Sequence, residues 1–335
     1  MNVAIIGSGL QARRRANAIQ ASEFCKLKTI VSDSQEAGES LANQFNAKVS
    51  TFEEVLHDST IDCVVVCTPP SSHFEYVRNY LNAGKNVLVE KPFTRTIEES
   101  YALTTLSRDS VGVLRCGFNH RFHPSIQKLK ELIGIGKLGE VKAIRSIYGI
   151  GLREGYTEEW RANQTVAAGG QFMEQGSHLI DISQYLVGEI SRVFLKTQNS
   201  LIPNIYGEDT GTALLSHYSG AISNVMSSLL IWHNRFNLEV YGSEGFAVVE
   251  GLGASYGVET LSVAQRDSSK PFKVVQTQFR GADQSWALEW QAFLDSIQEK
   301  PSDIATPVQA HHVMQVVSTG YESSNKGIEL ELKPS

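Results

Sequence analysis

The stretch Val-Ala-Ile-Ile-Gly-Ser-Gly-Leu-Gln-Ala at residues 3–12 decides the fold of this chain. Its first four residues are an apolar run of strand length, which stops at Gly7 and leads into helix-forming sequence. Gly7 permits a tight turn, Gly9 lets the backbone approach a phosphate closely, and the small Ala12 lets the helix sit against the strand. The N–H groups of that helix then face an anion. The stretch therefore predicts a phosphate-binding turn between a strand and a helix.

Strand-like and helix-like segments alternate from this turn to residue 118, with short connections. Apolar runs follow at 27–31, 61–67, 87–90 and 111–118, and helical periodicity lies between them. Three capping boxes are predicted to open helices, at Thr51–Glu54, Ser72–Glu75 and Thr96–Glu99. Such alternation requires a parallel sheet with helices on its faces. We expect an α/β chain that begins with a doubly wound parallel sheet of the Rossmann type.

Length and composition narrow the class of protein. The 335 residues predict two domains, and 41% hydrophobic residues supply packed cores. A net charge of -6 gives no basic field, so nucleic acid and membrane surfaces are disfavoured as partners. No apolar run approaches the ~18 residues of a membrane span, and the first apolar run lacks the preceding positive charges of a signal peptide. Four scattered cysteines form no disulfide framework. We expect a soluble, cytoplasmic protein.

The acid after the second apolar run bears on the choice of cofactor. Asp33 lies 21 residues after Ala12, the last residue of the glycine turn. An acid that binds the ribose hydroxyls of a dinucleotide is expected ~20 residues after such a turn. A helix cap or turn is its alternative role. No Arg or Lys lies between Asp33 and Lys48 to receive a 2′-phosphate, although Arg13–Arg15 could still reach it. The pattern favours NAD over NADP.

Three further segments complete a recognisable order. Thr68-Pro69-Pro70-Ser71-Ser72-His73 follows the third main strand, Glu90-Lys91-Pro92 ends a later one, and the segment 169–181, GGQFMEQGSHLID, lies in the second half. Together with the glycine turn, these segments resemble the Gfo/Idh/MocA family of pyridine-nucleotide oxidoreductases. The motifs run to about residue 189, and beyond that the resemblance is one of architecture only.

The resemblance implies how the chain is divided. A Rossmann domain over 1–120 would precede an α+β domain over 121–335, built on an open, mainly antiparallel sheet that commonly forms an oligomer interface. The segment 119–124, NHRFHP, is similar to the family's linker. Alternating runs at 211–217, 221–231 and 236–241 suit the second sheet. Helices at 285–297 and 307–322 are expected at the end of the chain, where they can pack back on the first domain. A homodimer or homotetramer is expected.

The resemblance also implies the catalytic and cofactor residues. Lys91 occupies the family's catalytic lysine position, and Glu174 and His178 stand where the family usually has Asp and His, four residues apart. On a helix that spacing puts both side chains on one face, where a carboxylate can orient an imidazole that acts as a general base. A metal site built from Glu174, His178 and Asp181 is the disfavoured alternative, so no metal is expected. Cofactor contacts are expected from Gly7, Ser8, Gly9, Leu10, Gln11, Asp33, Thr68, Pro69, His73, Glu90 and Lys91.

The substrate side is less closely defined. Polar and aromatic residues near the predicted junction suit a hydroxyl-rich or anionic ligand, and they are Asn119, Arg121, Tyr156, Trp160 and Arg161. The first hypothesis is an NAD-dependent dehydrogenase that transfers hydride from a secondary alcohol of a sugar, inositol or nucleotide sugar. Two alternatives stay open within the resemblance: an NAD-dependent glycoside hydrolase and a non-catalytic NAD-binding regulator.

Overall fold

The structure is a computed structural model that describes residues 1–201, 206–267 and 273–332. The chain divides into two compact units, one of Met1–Asn119 with Ser285–His311 and one of His120–Gln284 with His312–Ser335. Within the described ranges, no helix has both the length and the hydropathy needed to cross a bilayer.

Strands are present at the apolar runs predicted above, with ends displaced by a few residues, and further strands lie where no individual strand was predicted. The strands are β1 (Asn2–Ile6), β2 (Lys26–Val31), β3 (Lys48–Ser50), β4 (Cys63–Val66), β5 (Asn86–Glu90), β6 (Leu114–Gly117), β7 (Val141–Gly151), β8 (Ile190–Gln198), β9 (Thr210–His217), β10 (Ile222–Ser228), β11 (Leu230–Gly242), β12 (Gly245–Glu250), β13 (Glu259–Gln265), β14 (Val275–Phe279) and β15 (Leu330–Glu331). The strand expected over 221–231 is two strands, because the chain turns back at Leu229.

Most of the helices lie at predicted segments, and the helix over Pro124–Gly134 is one that the sequence did not predict. The helices are α1 (Leu10–Gln20), α2 (Gln35–Phe45), α3 (Phe52–His57), α4 (His73–Asn82), α5 (Ile97–Asp109), α6 (Pro124–Gly134), α7 (Ser177–Val187), α8 (Ser285–Ile297) and α9 (Pro307–Lys326).

The first unit is built on a wholly parallel sheet. Its strands lie in the order β3-β2-β1-β4-β5-β6, so the chain moves outward from β1 in one direction and then returns to continue on the other side. The central strands β1 and β4 are almost completely buried, as expected of strands covered on both faces. The order reverses between β1 and β4, and in open α/β sheets ligands bind at the carboxyl ends of strands beside such a reversal.

Two of the three predicted capping boxes are present. Thr51 and Thr96 each accept from the backbone three residues on, and Glu54 and Glu99 return the bond to the cap. The capping box predicted at Ser72–Glu75 is wrong. A 3₁₀ turn over Pro70–Ser72 precedes α4, and Ser72 Oγ instead donates to Thr68 Oγ1 at 2.8 Å and to the Pro69 carbonyl at 3.0 Å.

The second unit is built on a mixed, mainly antiparallel sheet. Its described strands lie in the order β14-β13-β12-β11-β7-β10-β9-β8-β15, and β7 and β10 are the parallel pair within it. One face is covered, since Leu215, Val225 and Leu238 are fully buried at inward positions of three strands. The other face exposes Leu214 and Ile222. Together the two sheets confirm the predicted fold class.

The segment before α7 departs from a regular helix. Residues Phe172–Gly176 form a π-helical turn, with hydrogen bonds that span five residues, and it runs directly into α7. Every residue from Ser177 to Leu186 is buried, so α7 lies in the interior of its unit. A π turn has more residues per turn than an α-helix. Glu174 therefore points in a different direction, relative to the residue four positions later, than it would in a continuous α-helix.

Candidate functional site

The glycine turn after β1 has the backbone that the sequence predicts. Gly7 has a φ of +110° and donates its N–H to the Val31 carbonyl at 2.8 Å. A Cβ on Gly7 would lie 2.9 Å from the carbonyl oxygen of Cys67. Both the positive φ and the close approach of β4 therefore require glycine.

The amino terminus of α1 is built to receive an anion. Gly9 is its N-cap, no side chain caps the helix, and its first turn contains no acid. The neighbouring helices α2, α3 and α5 each have a side-chain cap and a glutamate in the first turn. A Cβ on Gly9 would meet no atom within 4 Å, so the approach to these N–H groups is open. These features fit a dinucleotide pyrophosphate bound by backbone N–H groups.

The other predicted cofactor residues of this turn lie around it. Leu10 is 64% exposed, Gln11 is half-buried, and Ser8 Oγ shares a 2.7 Å hydrogen bond with Ser32 Oγ. Asp33 follows β2 and is exposed. Burial, and after it the charge of Asp33, raises the pKa of Tyr76, so these two side chains lie near each other.

His73 braces two loops. Its ring is fully buried, with Nδ1 2.9 Å from the Pro92 carbonyl and Nε2 2.8 Å from the Thr68 carbonyl. Burial lowers the pKa of His73, and the two carbonyls partly oppose that shift. The imidazole thus joins the loop after β4, which contains Pro69, to the loop after β5. This placement gives His73 a structural task in the predicted cofactor region.

Glu90 belongs to a buried charge network that the sequence analysis missed. Arg15, fully buried on α1, contacts Glu90 Oε1 through Nε and Glu289 Oε2 through Nη1, both at 2.6 Å. Its guanidinium carbon lies 4.7 Å from the centre of the Trp286 ring. Burial lowers the pKa of Arg15, but the attraction of both carboxylates outweighs it and raises the pKa. The network joins α1, the end of β5 and α8.

Lys91 comes directly after Glu90 and is half-buried. Both chain neighbours of Lys91 are held by buried contacts. Glu90 forms the ion pair with Arg15, and the carbonyl of Pro92 lies at hydrogen-bond distance from His73. An ammonium group at the carboxyl end of a parallel strand lies where ligands bind in this class of sheet.

His178 and Glu174 lie in the second unit, on α7 and the π turn before it. Both residues are 5% exposed. Glu174 Oε2 lies 3.4 Å from Nε of Arg161, so a third predicted site residue contacts this carboxylate. The spacing of Glu174 and His178 was predicted from a continuous helix, and the π turn changes the relation of their faces.

Arg161 stands in a polar loop with two other predicted substrate residues. Its guanidinium carbon lies 4.3 Å from the centre of the Trp160 ring, and its Nη1 lies 3.2 Å from Glu159 Oε2. Tyr156 is buried in the same segment, and burial, with a smaller effect of Glu174, raises its pKa to about 12. A polar cavity of about 670 Å³ opens beside Trp160 and Glu159. The structure therefore brings Tyr156, Trp160 and Arg161 together.

The remaining two predicted substrate residues have structural partners. Asn119 donates from Nδ2 to Ser285 Oγ at 2.9 Å inside the first unit. Arg121, in the second unit, forms a two-bond ion pair with Asp181 at 2.8 and 2.6 Å, and both side chains are buried. The charge of Arg121 is thus matched by Asp181 within the protein, and its role in binding an anionic ligand stays a prediction.

The aromatic surroundings of His178 also escaped the sequence analysis. The ring of His120 stacks on that of His178, with centroids 3.9 Å apart and planes 16° from parallel. Tyr148 lies 4.9 Å from His120 and 6.0 Å from His178. These two histidines and the tyrosine are far apart in the sequence, so their grouping is visible only in the structure. The sequence contains no such indication for His120, which lies in the segment predicted to be a linker.

A buried carboxylate braces the turn that leads to the π helix. Glu208 Oε1 accepts from the Phe172 N–H at 2.7 Å and from the Tyr321 hydroxyl at 3.0 Å. Burial raises the pKa of Glu208, partly offset by these hydrogen bonds. A Cβ on Gly170 would lie 2.2 Å from the Glu208 nitrogen. The glycines of this motif therefore allow the close packing that positions the following helix.

Among residues 1–201, 206–267 and 273–332, no three His, Cys, Asp or Glu side chains are grouped as a metal site.

Comparison with known proteins agrees with this architecture. The NAD-binding Rossmann domain of the Gfo/Idh/MocA oxidoreductase family matches residues 1–118, and the Gfo/Idh/MocA C-terminal domain matches residues 126–248. The chain is 28% identical to scyllo-inositol 2-dehydrogenase (NAD(+)) of Bacillus subtilis over 83% of its own length and 80% of that protein. It is 25% identical to D-xylose 1-dehydrogenase (NADP(+)) 2 of Haloferax volcanii over 99% and 100% of the two chains.

Solved structures share the whole fold. Levoglucosan dehydrogenase in complex with NADH superposes with a TM-score of 0.91 at 23% identity, covering 100% of both chains. The glycine turn, the two sheets and both family matches lead to one conclusion. The chain belongs to the Gfo/Idh/MocA family of oxidoreductases, and its first unit is the NAD-binding Rossmann domain of that family.

Proposed function

We propose that this protein is an NAD-dependent dehydrogenase that oxidises a secondary alcohol of a sugar or cyclic polyol. The observation that carries the proposal is the pairing, in one chain, of an open, uncapped helix terminus after β1 with a buried imidazole, His178, on α7. The relatives named above act on an inositol, a pentose and an anhydrosugar, which supports a hydroxyl-rich ring as the substrate class.

The chemistry assigns one task to each residue. A bound nicotinamide ring would accept the hydride from the alcohol carbon. His178 removes the hydroxyl proton as the carbonyl forms. The ammonium of Lys91 is a hydrogen-bond donor that directly follows β5, at the edge of the sheet where ligands bind. Glu174 and Arg161 contribute a charged pair close to the base, and Trp160 offers an apolar ring face for a sugar.

A substrate screen with matched variants tests this function. Purified protein is mixed with NAD and a panel of inositols, pentoses, hexoses and nucleotide sugars, and the absorbance of reduced nicotinamide is followed. On the best substrate, His178→Ala is expected to lower kcat by about 10²–10⁴-fold, as loss of a proton-transfer group does. Lys91→Met is expected to lower kcat by about 10²–10³-fold, as loss of a hydrogen-bond donor from an active site does. Arg108→Met, at an exposed position near the end of α5, is the control. Wild-type turnover in both variants would refute the assignment.

The same screen separates the two alternatives. An NAD-dependent glycoside hydrolase would release a free aglycone with no net accumulation of NADH. A non-catalytic regulator would bind NAD and turn over none of the panel. Either result would replace the dehydrogenase.

The preference for NAD rests on Asp33. Its carboxylate at the end of β2 can bind the ribose hydroxyls and repel a 2′-phosphate. The relatives use both cofactors by name, so the preference is a property to be measured in this chain. Asp33→Ser is expected to reduce the NAD-to-NADP ratio of kcat/KM at least about tenfold, the equivalent of one lost charge interaction. Preference for NADP in the unmodified protein would contradict this role.

A cytoplasmic homo-oligomer, dimer or tetramer, completes the proposal. Free cysteines at Cys25, Cys63, Cys67 and Cys116 suit a reducing compartment. Leu214 and Ile222 are 46% and 50% exposed on the open face of the second sheet, where a second copy would cover them. Light scattering on the protein and on Leu214→Glu tests the assembly, and a monomeric wild type would refute it.

A further inference from the structure

The loop after β2 is joined to the glycine turn after β1 by two hydrogen bonds. Gly7 donates its N–H to the Val31 carbonyl at 2.8 Å, and the hydroxyl oxygens of Ser8 and Ser32 lie 2.7 Å apart. In this class of fold the glycine turn contacts the pyrophosphate, and Asp33, the residue after Ser32, is the acid expected at the ribose. The two hydrogen bonds therefore connect the two places at which the chain is expected to hold a dinucleotide.

A count of protons gives the direction of the bond between the two hydroxyls. A serine hydroxyl has one proton to donate and two lone pairs that accept. Ser32 Oγ lies 2.9 Å from the Ser34 carbonyl, which can only accept, and 3.2 Å from the Ser34 N–H, which can only donate. When Ser32 donates to that carbonyl and accepts from the Ser34 N–H and from Ser8, all three contacts are satisfied at once. The Ser8 proton is then used by Ser32, so Ser8 meets a phosphate through its backbone N–H and not through its hydroxyl.

The helix α2 holds Ser32 from the other side. Ser34 is the N-cap of α2: its Oγ accepts from the Ala37 N–H at 3.3 Å, and its carbonyl also accepts from the Gly38 N–H at 2.9 Å. A Cβ on Gly38 would lie 2.9 Å from the Ser32 Cβ, so this glycine lets α2 approach Ser32 closely. Ser32 is half-buried between the glycine turn and α2, whereas Asp33 is exposed. The backbone on both sides of Asp33 is thus tied to one hydroxyl.

We propose that Ser32 is a positioning residue for cofactor selectivity: its hydroxyl, bonded to Ser8 and to Ser34, holds Asp33 where the carboxylate meets the adenosine ribose. A carboxylate that is held in place binds the ribose hydroxyls and repels a 2′-phosphate, whereas a mobile carboxylate does both less well. The inference deepens the proposed preference for NAD, and it rests on the role of Asp33 in that preference.

Equilibrium binding tests the inference without a substrate. The protein is titrated with NADH and with NADPH, and the fluorescence of the reduced nicotinamide gives each Kd. Ser32→Ala is expected to raise the Kd for NADH by about 2–10-fold, the factor by which one neutral hydrogen bond changes an equilibrium. The Kd for NADPH is expected to rise less, because repulsion of the 2′-phosphate weakens at the same time. The ratio of the two Kd values therefore moves toward NADPH.

The matched control removes a serine hydroxyl of the same kind elsewhere in the first unit. Ser107 is half-buried on α5, and its Oγ donates to the Thr104 carbonyl at 2.8 Å. Ser107→Ala should leave both Kd values unchanged. An equal shift of the ratio in Ser107→Ala would overturn the inference, since loss of any such hydroxyl would then produce the effect.

A double variant tests whether the two hydroxyls act as one unit. Ser8→Ala is expected to shift the ratio in the same direction as Ser32→Ala. The double variant should shift it no further than Ser32→Ala alone, because either substitution already removes the bond between the hydroxyls. Effects that multiply in the double variant, or a wild-type ratio in Ser8→Ala, would overturn the inference.

Amide hydrogen exchange provides a measurement on the protein without cofactor. The Ser34 N–H donates to Ser32 Oγ, so its exchange should be faster in Ser32→Ala than in the wild type. The Gly7 N–H donates to the Val31 carbonyl and should keep its rate, which shows that the glycine turn stays folded. An unchanged rate at Ser34 would overturn the inference.

Asp33→Ser in the same titrations separates this inference from the proposed function. If Asp33→Ser shifts the ratio and Ser32→Ala leaves it unchanged, the inference is refuted and the preference for NAD through Asp33 stands. If Asp33→Ser leaves the ratio unchanged, Asp33 does not set the preference, and the inference is refuted together with that role.

Discussion

The buried arginine of α1 provides the sharpest test of how the first unit is held together. Arg15 is fully buried and contacts Glu90 and Glu289 at 2.6 Å each, and Glu289 is also fully buried. Replacing Arg15 with Met preserves much of the stem and leaves two buried carboxylates without their shared cation. Loss of one partner from a buried ion pair costs about 3–5 kcal/mol. At about 2–4 °C per kcal/mol, the unfolding midpoint should fall by at least about 6 °C.

Thermal and urea unfolding, followed by tryptophan fluorescence, measures this loss. Arg13→Met on the exposed face of the same helix is the matched control and should change the midpoint little. The deficit of Arg15→Met should shrink as the pH is lowered, because protonation neutralises the carboxylates. Adding Glu90→Gln and Glu289→Gln should recover stability for the same reason. The network would be refuted if Arg15→Met lost no more than Arg13→Met, or if neutralising both carboxylates recovered nothing.

Three further predictions concern the second unit. Arg121→Met should lower the unfolding midpoint, because the substitution leaves Asp181 buried without this arginine. The KM of the folded protein for its substrate should stay unchanged. A raised KM at an unchanged midpoint would instead support the predicted substrate role of Arg121. Gly170→Ala should lower the yield of folded protein, because a Cβ at this position would lie 2.2 Å from the Glu208 nitrogen. Gly134→Ala is the control, since a Cβ there would meet no atom within 4 Å. In the same expression and melting assays, this control should be neutral or mildly stabilising. Burial raises the folded-state pKa of Glu208, so its protonated form favours folding at low pH, and this contribution is lost as the pH rises through the raised pKa. The unfolding midpoint of Glu208→Gln relative to wild type should therefore increase as the pH rises from about 4, the ordinary pKa of glutamate, and a difference that does not change with pH would contradict this linkage.

The nucleotide-binding half could be predicted well because its signals are local. The positive φ of Gly7, the open N-terminus at Gly9 and the capping boxes at Thr51 and Thr96 each depend on residues within a few positions of one another. The predicted box at Ser72 was wrong because Thr68 and the Pro69 carbonyl compete for its hydroxyl in a 3₁₀ turn. A local pattern indicates that a residue can cap, and the surrounding turn decides whether it does.

The sequence predicted which types of residue the candidate site contains better than it predicted what each of them contacts. Tyr156, Trp160 and Arg161 are close in sequence and remain close in the structure. Arg121 and His73 carry the polar groups that a ligand site needs, yet the structure uses them for an ion pair and a loop brace. Both are polar residues whose partners lie on other segments, so the sequence alone could not distinguish recognition of a ligand from internal support.

The sequence by itself predicted a parallel, doubly wound sheet that carries a phosphate-binding turn, and the family resemblance implied the second, mainly antiparallel sheet. Periodicity, glycine conformation and helix capping act over a few residues, so they are legible in one dimension. Only the tertiary structure decided which of the three arginines at 13–15 is buried, and that His120 stacks on His178. The partners lie 75 residues apart for Arg15 and Glu90, and 60 for Arg121 and Asp181. Electrostatic and stacking energies depend on distance in space, and only the folded chain sets that distance.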